Sequence, residues 1–121
     1  MERLTFDPSS AFAPRDALLD GVTVAPLTRS LRAGSTVQAA IFRLEPGGRI
    51  ARHPASVPQI LAVLDGQARV SGADGRFASV SSGQAVYWAA GEDHETRTDS
   101  GLTALLIEAD GLLPYERAMA G

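Results

Sequence analysis

From residue 22 to residue 109 the chain is a succession of short apolar runs, separated by glycine and acidic residues at intervals of about 8 to 12 positions. Helical periodicity is missing through this stretch, and crossover helices have no room, so antiparallel strands are the elements it can form. The runs at 22–27, 36–44, 59–64, 67–71, 77–80, 84–88, 94–98 and 102–109 are the predicted strands. Asp65-Gly66, between the third and fourth runs, reads as a two-residue type I′ hairpin, which needs positive φ at both central positions. Asp74-Gly75 repeats the device before 77–80. The predicted fold class is therefore all-β, a single-domain antiparallel sandwich or barrel.

A chain of 121 residues suits one such domain. Residues 1–20, punctuated by Pro8, Ser9, Ser10 and Pro14, read as an N-terminal arm anchored by Leu18 and Leu19, residues 21–111 as the β domain, and residues 112–121 as a tail in which Pro114 permits no more than a short helical turn. In the run 59–64 both parities are apolar: Gln59, Leu61 and Val63 on one face, Ile60, Ala62 and Leu64 on the other. Both faces should be covered. The outer one needs a second sheet, the arm or another subunit, and this is the reason for expecting a homodimer.

Charge and composition exclude several function classes. The net charge is -3, and the eleven basic residues, all arginine, form no stripe that would track phosphates, so nucleic acid is not an expected partner. With no lysine there is no Schiff-base chemistry, and with no cysteine there are no disulfides, thiolate ligands or thiol nucleophiles. The first 16 residues lack the apolar core of a signal peptide, and no later window approaches the roughly 18 apolar residues of a membrane span. A cytoplasmic protein without a membrane partner is expected. Gly47-Gly48 is followed by no helix pattern, which excludes a phosphate-binding loop, and the serines at 79–83 lack the strand-to-helix elbow of a serine nucleophile.

Two spacings carry the chemistry. Gly47 is followed by five residues, His53, Pro54, Ala55, three residues, Gln59, six residues and Gly66; Gly83 is followed by five residues, Ala89, Gly91, His94 and Thr98. Over residues 36 to 109 this glycine frame resembles the two motifs of the cupin family, the small β-barrels of jelly-roll type. The chain's two histidines fall on ligand positions of those motifs. Ala55 stands where the family has a further histidine, Gln59 where it has a glutamate, Ala89 where it has a proline and Thr98 where it has an asparagine. The resemblance implies that His53, Gln59 and His94 project together into the mouth of the barrel.

A full cupin site of three imidazoles and one carboxylate implies one divalent transition-metal ion. Here His53, Gln59 and His94 are the metal-ligand candidates, with Glu92 or Glu95 as the carboxylate that would complete a two-histidine, one-carboxylate set. Against that stands a plain structural alternative, two partly buried imidazoles hydrogen-bonded to Gln59, water or backbone carbonyls. The expected ligand pocket consists of His53, Gln59, Leu61, Val63, Trp88 and His94. Trp88 serves either as its wall or as core, and Arg43, Arg49 and Arg52 either clamp a carboxylate or lie solvated on the surface. Two functions follow from the resemblance: a small-molecule binding or sensing module with a degenerate site, or a metal-dependent enzyme of oxygenase or isomerase type acting on a small metabolite.

Overall fold

The computed structural model describes residues 1–18, 20 and 22–119. Its strands are β1 (Glu2–Thr5), β2 (Val37–Leu44), β3 (Arg49–Pro54), β4 (Gln59–Ser71), β5 (Phe77–Ser81), β6 (Gln84–Trp88), β7 (Asp93–Arg97) and β8 (Leu102–Ala109), followed by a single helical turn, α1 (Glu116–Met119). Every pairing is antiparallel. The all-β architecture expected from the spacing of apolar runs is the one observed.

The two walls of the domain share one strand. In its first half β4 pairs with β6 and β8, within a sheet ordered β1-β6-β4-β8-β2; in its second half it pairs with β5 and β7, within a sheet ordered β5-β4-β7-β3. The expected hairpin at Asp65-Gly66 is thus a bend inside one 13-residue strand. Gly66 has φ +83°, Asp65 has no positive φ, and the register against β8 shifts between Val63 and Asp65. A bulge and a tight hairpin both use a glycine at positive φ, so Asp-Gly by itself does not distinguish them. Asp74-Gly75 does reverse the chain, with the Gly75 N–H donating to the Gly72 carbonyl at 3.0 Å, but only Gly75 takes positive φ.

Three further expectations are corrected. The run 22–27 forms no strand and contributes one bridge, Val24 to Phe12. Residues 2–5 of the expected arm form the edge strand β1, paired to β6 with Leu4 opposite Ala85. Leu4 is the anchor, buried at 3% exposure, whereas Leu18 is 90% exposed; Leu19, the other expected anchor, lies outside the described residues.

From Gln59 to Val63 both faces of β4 are covered, as its two apolar parities require. Leu61 and Val63 pack between the sheets with Val70, Val80, Val86 and Trp88. Ile60 and Ala62 face outward and are covered by Leu4, Leu112 and Ala118 from the chain's own terminal segments. The Tyr87 hydroxyl donates to the Leu112 carbonyl at 3.0 Å, and Arg117 Nε donates to the Ser10 carbonyl at 2.8 Å, which ties the two terminal segments to the sheet and to each other. At Ile60 and Ala62 the outer face is thereby covered by the chain's own terminal segments, while Leu64, on the same parity, is 43% exposed. No described helix is long and apolar enough to cross a membrane.

Candidate functional site

Alternation along the strands decides which side chains meet between the sheets. The first sheet turns Phe42, Gln59, Leu61, Trp88, Leu106 and Glu108 toward the second, which answers with Ile50, His53, His94 and Thr96; together they line a cavity of about 100 Å³. Of the expected pocket residues, His53, Gln59, Leu61, Trp88 and His94 are brought together here. Val63 is not: it lies deeper on the same face of β4, fully buried in the core.

His53 and His94 are register partners on β3 and β7, with ring centroids 4.4 Å apart. The ladder slips between Ile50 and His53, a bulge that breaks simple alternation on β3 and brings His53 opposite His94. β3 itself was absent from the expected strands, because its residues are mostly exposed and show no apolar alternation. Trp88 also packs against His94, ring centroids 4.6 Å apart, and its indole N–H donates to the Ser71 carbonyl at 3.1 Å. Trp88 is at once core and pocket wall, buried to 1% exposure.

Backbone contacts set the protonation pattern of the imidazoles. Nδ1 of His53 lies 2.7 Å from the Ala51 carbonyl, and Nδ1 of His94 lies 3.1 Å from the Glu92 carbonyl. A carbonyl oxygen only accepts, so each Nδ1 carries the proton and donates it. Burial pushes the His94 imidazole below its usual pKa and the His53 ring works in the same direction, while the Glu92 carbonyl and carboxylate and the His53 backbone oppose them. His94 is therefore neutral at neutral pH, and its Nε2 is left with a lone pair.

The carboxylates considered as completing a metal set are engaged elsewhere. Glu92 binds three donors: the Met1 amino group at 2.8 Å, the Ala73 N–H at 3.1 Å and the Ala89 N–H at 3.0 Å. Its burial opposes ionisation, but these donors outweigh it and hold the carboxyl below the usual range. Glu95 has the opposite parity to His94 and pairs with Arg97. Thr98 is structural, its hydroxyl donating to the Gln67 carbonyl at 2.8 Å and accepting from the Gly101 N–H at 3.0 Å.

Ala55, at the position of the family's additional histidine, is buried, its N–H donating to the Glu92 carbonyl at 3.0 Å and its carbonyl accepting from the Gly91 N–H at 2.7 Å. Among the described residues no three His, Cys, Asp or Glu side chains converge to hold one ion. Two imidazoles and an amide oxygen do not fit the four-donor metal centre, since they lack both a ligand and the anionic charge that offsets the cation.

No arginine lines the cavity. Arg52 donates to the Gly72 and Ala73 carbonyls, Arg49 stands opposite Arg97, and Arg43 is exposed. The residue missed from the sequence is Glu108, half-buried, which stands opposite Gln59 across the β4–β8 ladder. It shares a parity with Leu102, Ala104 and Leu106, so a lone acid on an apolar row was the available signal. The alternate row, Leu105, Ile107 and Ala109, is equally apolar and hid it.

The family model for the cupin domain matches residues 40–109. No curated protein matches the chain. Among solved structures, it is similar to an RmlC-like cupin from Shewanella frigidimarina, at 18% identity over 60% of this chain and 65% of that one, TM-score 0.58. It is also similar to a cupin superfamily protein from Desulfitobacterium hafniense, at 17% identity over 69% and 76%, TM-score 0.59. A third likeness is to the polyketide cyclase RemF from Streptomyces resistomycificus, at 22% identity over 64% and 56%, TM-score 0.57. At these identities the likeness is one of fold. The family match, by contrast, spans more than half of the sequence and takes in every strand from β3 to β8, and on that extent the chain belongs to the cupin family.

Proposed function

We propose that this cupin is a small-molecule binding or sensing module whose ligand sits between the sheets, against His94, Gln59 and Trp88. The observation that carries the proposal is the combination of apolar walls with a few convergent polar groups in one cavity, the usual make-up of a ligand site. His94 is held by its Nδ1 contact and packed by the rings of His53 and Trp88, so it meets a ligand already oriented. Such preorganisation lowers the ordering cost of binding. His53 is exposed and stands at the mouth.

The second reading is a metal-dependent enzyme of oxygenase or isomerase type. It is favoured by the Nδ1 contacts of both imidazoles, since metal-bound histidines usually donate their other ring N–H to a carbonyl or carboxylate. Ala55 and Gln59 weigh against it. Elemental analysis of untagged protein separates the two: the binding module carries metal well below one equivalent. One equivalent of metal, lost in both His53→Ala and His94→Ala, would establish the second reading and overturn the first. The positive test is a thermal-shift screen of small metabolites, in which a saturable rise in Tm for the wild type is abolished in His94→Ala.

A further inference from the structure

The cavity holds one carboxylate, Glu108, and no arginine; His94 offers a lone pair at Nε2, while Gln59 and Thr96 can each accept as well as donate. Among the described residues Glu108 enters no ion pair. It also borders a second, smaller cavity of about 50 Å³ beside the first, with Phe42 and Leu106 common to both. No arginine lines either cavity to offer that carboxylate a counter-charge. Glu108 and the imidazole pair do not close on a single ion. A ligand that engages both must have length.

We infer that the cavity binds a small primary amine, its ammonium held by Glu108 and the Gln59 amide oxygen, and a second O–H or N–H donor reaching Nε2 of His94. This rests on the pocket proposed above and names its ligand class. An anionic ligand would meet Glu108 with no cation to offset it, at a cost that the low-dielectric wall magnifies. A neutral diol would satisfy the acceptors but leave the carboxylate without a counter-charge. A cavity of about 100 Å³ is on the scale of a small ligand such as ethanolamine or 1,2-diaminoethane.

The test is calorimetric titration and thermal shift of the full chain at fixed ionic strength with ethanolamine, 1,2-diaminoethane, glycolate and ethylene glycol. Either amine is expected to bind saturably and raise Tm, with glycolate and ethylene glycol inert. Glu108→Gln, close in shape, is expected to weaken amine binding by about tenfold or more. Equal binding of the amine by wild type and a folded Glu108→Gln would overturn the inference. Should that variant fail to fold, the discrimination between ethanolamine and glycolate by the wild type decides alone. If glycolate or ethylene glycol binds as well as the amines and His53→Ala or His94→Ala abolishes it, the amine assignment falls and the pocket stands. If none of the four binds, the amine assignment falls, and the wider metabolite screen judges the pocket.

Discussion

Replacing Gly66 by alanine tests the bend that joins the two sheets. A Cβ there would lie 2.2 Å from the Gly101 carbonyl oxygen and 3.2 Å from the Leu102 Cα, both of them backbone, at a φ of +83°. Two penalties add. A non-glycine residue in the left-handed region costs roughly 1–2 kcal/mol, and forcing packed backbone apart costs roughly 1–3 kcal/mol more. Gly75 supplies the control, since its φ is +73° but a Cβ there meets nothing within 4 Å. Gly75→Ala therefore carries only the conformational penalty. For a domain of this size 1 kcal/mol corresponds to a Tm shift of about 4 °C. Gly66→Ala should lower Tm by roughly 8–20 °C and Gly75→Ala by roughly 4–8 °C, read by circular dichroism under identical conditions. Equal losses in the two variants would mean that the close approach of Gly101 to the bend does not exist, and with it would go the account of β4 as a continuous shared strand.

Three other outcomes are expected. Glu92→Gln should cost about 1–2 kcal/mol, because three donors lose an anionic acceptor. The folded-state pKa of Glu92 lies below its unfolded value, so its contribution is complete above about pH 4.5 and is lost as pH falls through the folded value; acid melts of wild type should show this loss and the glutamine variant should lack it. His94 also has a folded pKa below its unfolded value near 6.5, but here the neutral form is the favoured one: its contribution is present above that pH and declines as pH falls below it, and an NMR titration placing its pKa at or above 6.5 would contradict the buried, neutral assignment. Leu4→Ala should cost about 2–5 kcal/mol in chemical unfolding, since Leu4 is buried at 3% exposure in the cluster that covers the outer face; a loss below 1 kcal/mol would show that β1 does not seal that face.

The strands legible in the sequence were those with one clear bury-and-expose rhythm or a bounded apolar run. The runs 77–80, 84–88 and 102–109 match observed elements to within a residue. β1 was illegible because only Leu4 and Thr5 of its four residues are buried, and Pro8, Ser9 and Ser10 follow so closely that the segment reads as a loop. β3 was illegible for a different reason: it lies at the edge of the second sheet and exposes five of its six residues, so burial writes no pattern into it. Its one informative residue, His53, was found by spacing and not by periodicity.

The site depended on a fact that local pattern does not carry, namely which faces oppose one another. Parity places Gln59 with Leu61 and Val63, and His94 with Thr96, but says nothing of whether those rows meet. Had Asp65-Gly66 formed a tight hairpin, residues 67–71 would lie beside 59–64 as neighbours in one sheet. Because the chain bends at Gly66 and continues, the same strand presents Gln59 on one wall and, through Arg69, Val70 and Ser71, pairs with the strand that carries His94 on the other. The cavity is thus a consequence of that bend, and Glu108 enters it through the β8 ladder, which aligns Gln59 with Glu108 on the first wall. A single polar residue on an apolar row acquires meaning only once its opposite wall is known, and for Glu108 that wall holds two imidazoles.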